Sequence, residues 1–304
     1  MPKIPLTLLT GGRGRLASAI HEFQIQQGNG IQAFSRTAGG GFQGLDDLLK
    51  PGLWEQAGCL LHTAWSTVPL VSERTPATEW ETDLPWLARM LRHFGERGGR
   101  RPIHFVFFSS GGTVYGNATT GRSSREDDPL CPKGWHGLAK VQAETLVREA
   151  CARYDMPCTI LRISNPYGMR SSTVRPQGII PILASCALDG SVFRLWGDGH
   201  AEKDYIHITD FNHAVDRVIT DGITGTYNLC SGRSHSVTSV VKQIENITGR
   251  VINVIHEPAY EWDVVASRLD NSAFRDATGW SPRVSLEEGL RECVDTIRKV
   301  SPPA

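Results

Sequence analysis

Thr10-Gly11-Gly12-Arg13-Gly14-Arg15-Leu16-Ala17 follows an apolar run at residues 5–10 and opens a helix-length amphipathic stretch at 16–27. A strand that turns into a helix through glycines forms a cradle for a pyrophosphate. Gly11 permits the tight turn, Gly14 lets backbone N–H groups approach the charged oxygens, and Ala17 keeps the helix close to the strand. The helix N-terminus adds a partial positive charge. A second apolar run, 31–35, follows at the distance a βαβ unit requires. The stretch therefore reads as a dinucleotide-binding loop at the head of a parallel α/β sheet.

The same alternation continues along the chain. Apolar runs at 5–10, 31–35, 59–62, 103–109 and 158–163 are separated by helix-length stretches, among them 16–27, 79–94 and 137–153. Strands with so few polar interruptions are covered by helices on both faces. After 163 the character changes to turn-rich segments: Asn165-Pro166-Tyr167-Gly168, Pro176-Gln177-Gly178 and Leu195-Trp196-Gly197-Asp198-Gly199. Such connections suit a smaller lobe that shapes a pocket. Residues 203–208 read as a strand returning to the first lobe, and Gly39–Gly41 as a loop. The expected fold is a Rossmann-type doubly wound parallel sheet (1–163 plus about 203–230) with a smaller mixed α/β substrate lobe (164–202 plus 231–304).

Composition narrows the function. The chain has 304 residues, with 32 Lys+Arg balanced by 32 Asp+Glu, so no sequence-wide field favours nucleic acid or an anionic membrane. No apolar run is long enough to span a bilayer, and Met-Pro-Lys-Ile-Pro-Leu lacks the basic-then-apolar pattern expected of a signal peptide. Seven scattered cysteines form no Cys-x-x-Cys pair. Reduced thiols in a cytoplasmic protein are expected, with no metal site.

Two further stretches bear chemistry: Phe107-Phe108-Ser109-Ser110-Gly111-Gly112-Thr113-Val114-Tyr115-Gly116, and Pro132-Lys133-Gly134-Trp135-His136-Gly137-Leu138-Ala139-Lys140. With the Thr10–Ala17 loop they resemble the extended short-chain dehydrogenase/reductases, the NAD-dependent epimerase/dehydratase family of nucleotide-sugar enzymes. That resemblance implies an active-site helix with Tyr-Gly-x-x-Lys, and here His136 stands in the tyrosine's place while Lys140, the ribose anchor, is kept. It also implies a catalytic hydroxyl at position 111, where this chain has Gly111; Ser110 and Thr113 are the nearest substitutes. Thr113 falls where the family's dehydratases carry glutamate, which argues against dehydration.

For the cofactor, the resemblance places Gly11, Gly14, Arg15, Leu16, Ala64 and Lys140 against NAD or NADP. The family's ribose-binding aspartate falls at Ser35, followed by Arg36. A hydroxyl and a guanidinium suit a 2′-phosphate better than a diol, a slight lean to NADP. Asp46 or Asp47 is available to the adenine side. For the substrate, a nucleoside-diphosphate sugar, the resemblance points to Asn165, Gln177, Lys203 (in place of a clamping arginine) and Tyr260 (in place of a second). Helices 79–94 and 137–153 match the pair that forms a four-helix bundle in the family's homodimers.

His136 and Lys140 are four residues apart and share a helix face. Neutral imidazole, with an unperturbed pKa of about 6.5, is a competent base near neutral pH. Three readings remain open: an NDP-sugar epimerase, acting at C4 by default; an NADPH-dependent reductase of an NDP-keto sugar; and a binding protein that has lost its chemistry.

Overall fold

A computed structural model describes residues 5–300 except 51, 54, 98–101, 120 and 170–177. The quoted loop joins β1 (Leu6–Thr10) to α1 (Arg15–Gln26), and the chain returns through β2 (Ile31–Ser35) to the short β3 (Gln43–Gly44). Then come β4 (Ala57–His62), α2 (Pro69–Arg74), α3 (Leu84–Arg97), β5 (His104–Ser110), a single turn α4 (Gly111–Val114), α5 (Trp135–Arg153) and β6 (Cys158–Ile163). These six strands and a later one, β10 (Gly225–Leu229), form a seven-stranded sheet in the order β10-β6-β5-β4-β1-β2-β3. Every pairing in it is parallel.

Strand periodicity builds two cores from one sheet. In β5, Phe105 and Phe107 pack with Leu8, Leu60 and Ile160 against α3 and α5. Val106 and Phe108 face the other way, with Leu9, Leu61 and Leu161, toward α1 and α7 (Ile208–Asp221). Both faces are apolar, as the unbroken runs required.

The remaining elements form a smaller layer: β7 (Asn165–Tyr167), α6 (Ile179–Asp189), β8 (Phe193–Trp196), β9 (Glu202–His207), β11 (Ser234–Ser236), α8 (Val237–Thr248), β12 (Val254–Glu257), α9 (Ser272–Thr278) and α10 (Leu286–Val300). Leu183, Val240, Ile244, Leu290 and Val294 make its core. A reciprocal capping box starts α10, with Ser285 N donating to Glu288 Oε2 (2.9 Å) and Glu288 N to Ser285 Oγ (3.2 Å).

Two expectations need correction. Residues 203–208 reach the first lobe's core through Ile206 and Ile208 but do not join its sheet: β9 pairs with β7 and β11 in a three-stranded sheet. The return is made by α7 and by β10, whose sequence Gly-Thr-Tyr-Asn-Leu is too polar to read as a buried strand, as an edge strand allows. Nor is 79–94 one α-helix. Glu79–Asp83 is a π-helical turn, with Leu84 N donating to Glu79 O, and α3 proper begins after it. Pro85 has no N–H to give the preceding turn and its ring crowds that turn's carbonyls, so the backbone widens there.

A buried polar network ties the sheet to α5. Glu144, fully inaccessible, accepts from Arg162 Nη2 (2.9 Å), Arg162 Nε (3.1 Å) and Ser109 Oγ (2.6 Å). Arg162 Nη1 donates to Tyr115 Oη (2.7 Å), which donates to Asn228 Oδ1 (2.7 Å). No helix of the described residues is long and apolar enough to cross a membrane.

Candidate active site

The carboxyl ends of β1, β4, β5 and β6 open on three adjoining cavities, where strand order reverses in a sheet of this kind. The first, about 910 Å³, gathers Gly11, Gly14, Arg15, Leu16, Ser35, Arg36 and Ala64. The second, about 440 Å³, holds His136, Lys140, Ser110 and Thr113. The third, about 520 Å³, is bordered by Tyr260 and Trp196. Leu16, Thr63 and Trp65 line both the first and the second; Asn165, Lys203, Trp262 and Asp263 line both the second and the third.

The first cavity fits a dinucleotide's pyrophosphate. Gly11 has φ +78°, and a Cβ on it would lie 2.9 Å from Ala64 N and from Thr63 Oγ1, so only glycine lets the turn pass there. Gly14, the N-cap of α1, offers no side chain to cap the helix, and no acid stands in the first turn, so anion-binding N–H groups are left for a ligand. Of the expected phosphate discriminators, Ser35 is spent on its own loop, donating to Thr37 O (2.5 Å). Arg36 reaches Ser66 Oγ (3.4 Å) on the exposed side. Asp46 pairs with Arg89 (3.3 Å), and Asp47 with Lys50 (2.5 Å).

In the second cavity, Lys140 is buried, 6% exposed. Its Nζ donates to Phe108 O (2.9 Å) and lies 3.7 Å from the centre of the Trp65 ring. Burial drives its pKa down to about 7 from 10.5, against the pull of Asp83, Glu144 and Glu79. Between those two values the unfolded chain binds a proton that the folded chain does not, so stability rises with pH. The stabilisation is complete above 10.5 and lost as pH falls to 7. We therefore predict that the urea midpoint of cofactor-free protein increases from about pH 7 to about pH 9.5, and that Lys140→Met flattens this slope. An unchanged slope in the variant would refute the assignment.

His136, one turn earlier on α5, is 7% exposed. Its Nδ1 lies 3.4 Å from Thr67 Oγ1 and 3.8 Å from Glu79 Oε1. Glu79 is inaccessible and accepts a hydrogen bond from Thr67 Oγ1. Burial opposes the charge on Glu79, but His136, Ser72 and Thr67 hold its carboxyl down at about 2. Burial lowers the His136 imidazole below its ordinary range; Glu79 raises it, and Lys140 lowers it again. Thr113 Oγ1 is buried with no hydrogen-bond partner among the described residues. Its carbonyl oxygen is 2.8 Å from where a side chain on Gly137 would begin, so the α4 turn sits directly against the residue after His136.

Residues 7–230 match the family model of the NAD dependent epimerase/dehydratase family. The chain belongs to this family. A UDP-glucose 4-epimerase of Mycolicibacterium smegmatis is 24% identical, with 97% of this chain and 99% of that one covered. A dTDP-4-dehydro-6-deoxyglucose reductase of Escherichia coli is 31% identical over 195 residues, 64% of this chain and 61% of the relative. The crystal structure of a Thermus thermophilus UDP-glucose 4-epimerase in complex with NAD superposes with a TM-score of 0.86 at 25% identity, covering 97% and 99% of the two chains.

Within this epimerase/dehydratase frame, the structure explains one departure. A Cβ on Gly111 would meet Leu269 Cδ1 at 2.6 Å and the carbonyl oxygens of Arg162 and Ile163 at 3.0 and 3.2 Å. The place of the expected hydroxyl is thus taken by Leu269, from the distant C-terminal third. Ser110 and Thr113 line the cavity on either side. Lys203 is tied to Asp263 Oδ1 (2.9 Å) and Val264 O, and Asn165 Nδ2 donates to Asp204 O (2.8 Å). Tyr260 stacks between Trp196 and Trp262, centroids 5.8 and 4.9 Å away. Gln177 lies outside the described residues. Sequence reasoning missed Thr67, Glu79 and Trp262, since no local pattern marks them.

Proposed function

We propose that the chain is a nucleoside-diphosphate-sugar epimerase that inverts C4 through a transient ketone, with a nicotinamide dinucleotide retained through the cycle. The observation that carries this reading is that His136 faces the cavity joining the glycine-loop cleft to the Asn165–Lys203 side. The loop around Gly11 and Gly14 would hold the pyrophosphate, Lys140 the nicotinamide ribose, and Asn165 and Lys203 the sugar's diphosphate. When bound, the dinucleotide supplies the acceptor and donor of hydride. The chain's own residues manage the proton. His136 takes it from the C4 hydroxyl as the carbinol becomes a ketone, and returns it to the same oxygen when hydride is restored from the other face. The unpartnered Thr113 hydroxyl, or Ser110, supplies the hydrogen bond to that oxygen.

Arg36 favours the second reading, a reductase that draws on NADPH, because no carboxylate stands at the end of β2 to claim a ribose diol. Mass spectrometry of small molecules released on denaturing freshly purified protein separates the two. The epimerase reading expects about one oxidised dinucleotide per chain and conversion of a UDP-hexose to its C4 epimer. An empty site, with turnover only on added NADPH and a keto sugar, would replace it with the reductase.

A further inference from the structure

His136 is backed by a chain of groups that the ordinary tyrosine of this family would not call for. Behind its Nδ1 stand Thr67 Oγ1 at 3.4 Å and Glu79 Oε1 at 3.8 Å, and Thr67 Oγ1 also bonds Glu79 Oε1. An ionised carboxylate only accepts, so the Thr67 hydroxyl hydrogen must point at Glu79. The Thr67 oxygen is then left to accept from His136. Either route, through Thr67 or directly to the carboxylate, requires the proton on Nδ1. Neutral imidazole carries a single N–H, so Nε2 keeps its lone pair for the cavity.

We propose that Glu79 and Thr67 are positioning residues that fix the tautomer and aim of His136, making a carboxylate–hydroxyl–imidazole relay in place of the tyrosine. This rests on His136 being the acid–base group of the proposed reaction. Histidine alone would be a poor exchange for a phenol, being shorter and free to present either nitrogen. The carboxylate removes that freedom and pairs with the imidazolium that forms while the ketone is present, as in carboxylate–histidine pairs generally.

The backbone is shaped for this role. Glu79 and Asp83 begin and end the π-helical turn, a geometry that recurs at functional sites. Glu79 is turned toward His136, and Asp83 accepts from Ser66 N (3.1 Å) and Ser66 Oγ (2.9 Å). Just before the turn Ala77 has φ +81°, in the left-handed region that an alanine occupies only when its surroundings impose it. The N-terminus of α5, which carries His136, is held by a second carboxylate, Glu73 Oε1 accepting from Trp135 N (2.7 Å).

The test reads the tautomer without needing turnover. Long-range proton–nitrogen spectra of the full chain labelled with 15N-histidine, at about pH 8, identify His136 by the signal lost in His136→Gln. The relay expects protonated Nδ1 and bare Nε2 in the native chain. Glu79→Gln, which offers a donor as well as an acceptor, should lose that single form, and Thr67→Val should weaken it, because only the longer direct contact of 3.8 Å to Glu79 is left. Turnover should fall about 10²-fold in Glu79→Gln with KM changed less than threefold. Thr67→Val and the native spectrum keep the test open if Glu79→Gln does not fold. A proton on Nε2 in the native chain, or an unaltered Nδ1–H form in both variants, would overturn the relay. An Nδ1–H signal in a chain that epimerises no sugar nucleotide would support the relay and refute the proposed function instead.

Discussion

His136→Ala is expected to cut turnover by about 10²–10⁴-fold, the range spanned by removing a positioned acid–base group. Binding of dinucleotide and sugar nucleotide should change little, because the glycine loop, Asn165 and Lys203 are untouched. The site also predicts that His136→Tyr, although it brings back the residue the family resemblance implies, lowers turnover below native. The cavity behind His136 is shaped by Thr67 and Glu79, and an inaccessible carboxylate there would capture a phenol's hydroxyl hydrogen. A rate assay on a sugar nucleotide that the native chain converts decides both. Turnover within about threefold of native in His136→Ala would remove the histidine from the chemistry.

The largest expected loss of stability follows Glu144→Ala. It leaves the Arg162 guanidinium, with a side chain only 4% exposed, without its counter-charge. Breaking a buried pair from one side costs about 3–5 kcal/mol, since the remaining charge stays desolvated. For a chain of 304 residues that corresponds to a thermal midpoint lower by roughly 5–8 °C. The same carboxylate also meets Arg148 (3.1 Å), whose side chain is 42% exposed. Arg148→Ala should therefore cost less than about 1 kcal/mol, the scale of solvated pairs. Calorimetry of both variants checks the contrast. Equal losses would mean that solvent screening does not separate the two arginines.

The scaffold was legible because its signals are local. The 10–17 loop, the apolar strands and the retained Lys140 are read from consecutive residues, and the structure brings Gly11, Gly14, His136, Lys140 and Asn165 to one edge of the sheet as the order of motifs implied. What supports the altered chemistry is not local. Thr67 precedes His136 by 69 residues in an unremarked loop, and Glu79 opens a stretch that reads simply as a helix. Only the widened turn ahead of Pro85 drives that glutamate inward. Leu269 could not be seen as the occupant of the space beside Gly111, because it arrives from a segment whose own sequence says nothing of that neighbour. Tyr260, read as a lost arginine, is instead the middle of an aromatic stack.

The π-helical turn has a consequence for how the site is inherited. It accommodates one residue more than an α-helical turn would, and each residue of an α-helix advances the side chain by about 100°. Deleting Trp80 or Glu81 would let the segment relax to ordinary helix and swing Glu79 away from His136, with every side chain that lines the three cavities still present. The site is thus written partly in chain length. A survey of substitutions would pass over that dependence, while a one-residue deletion would expose it.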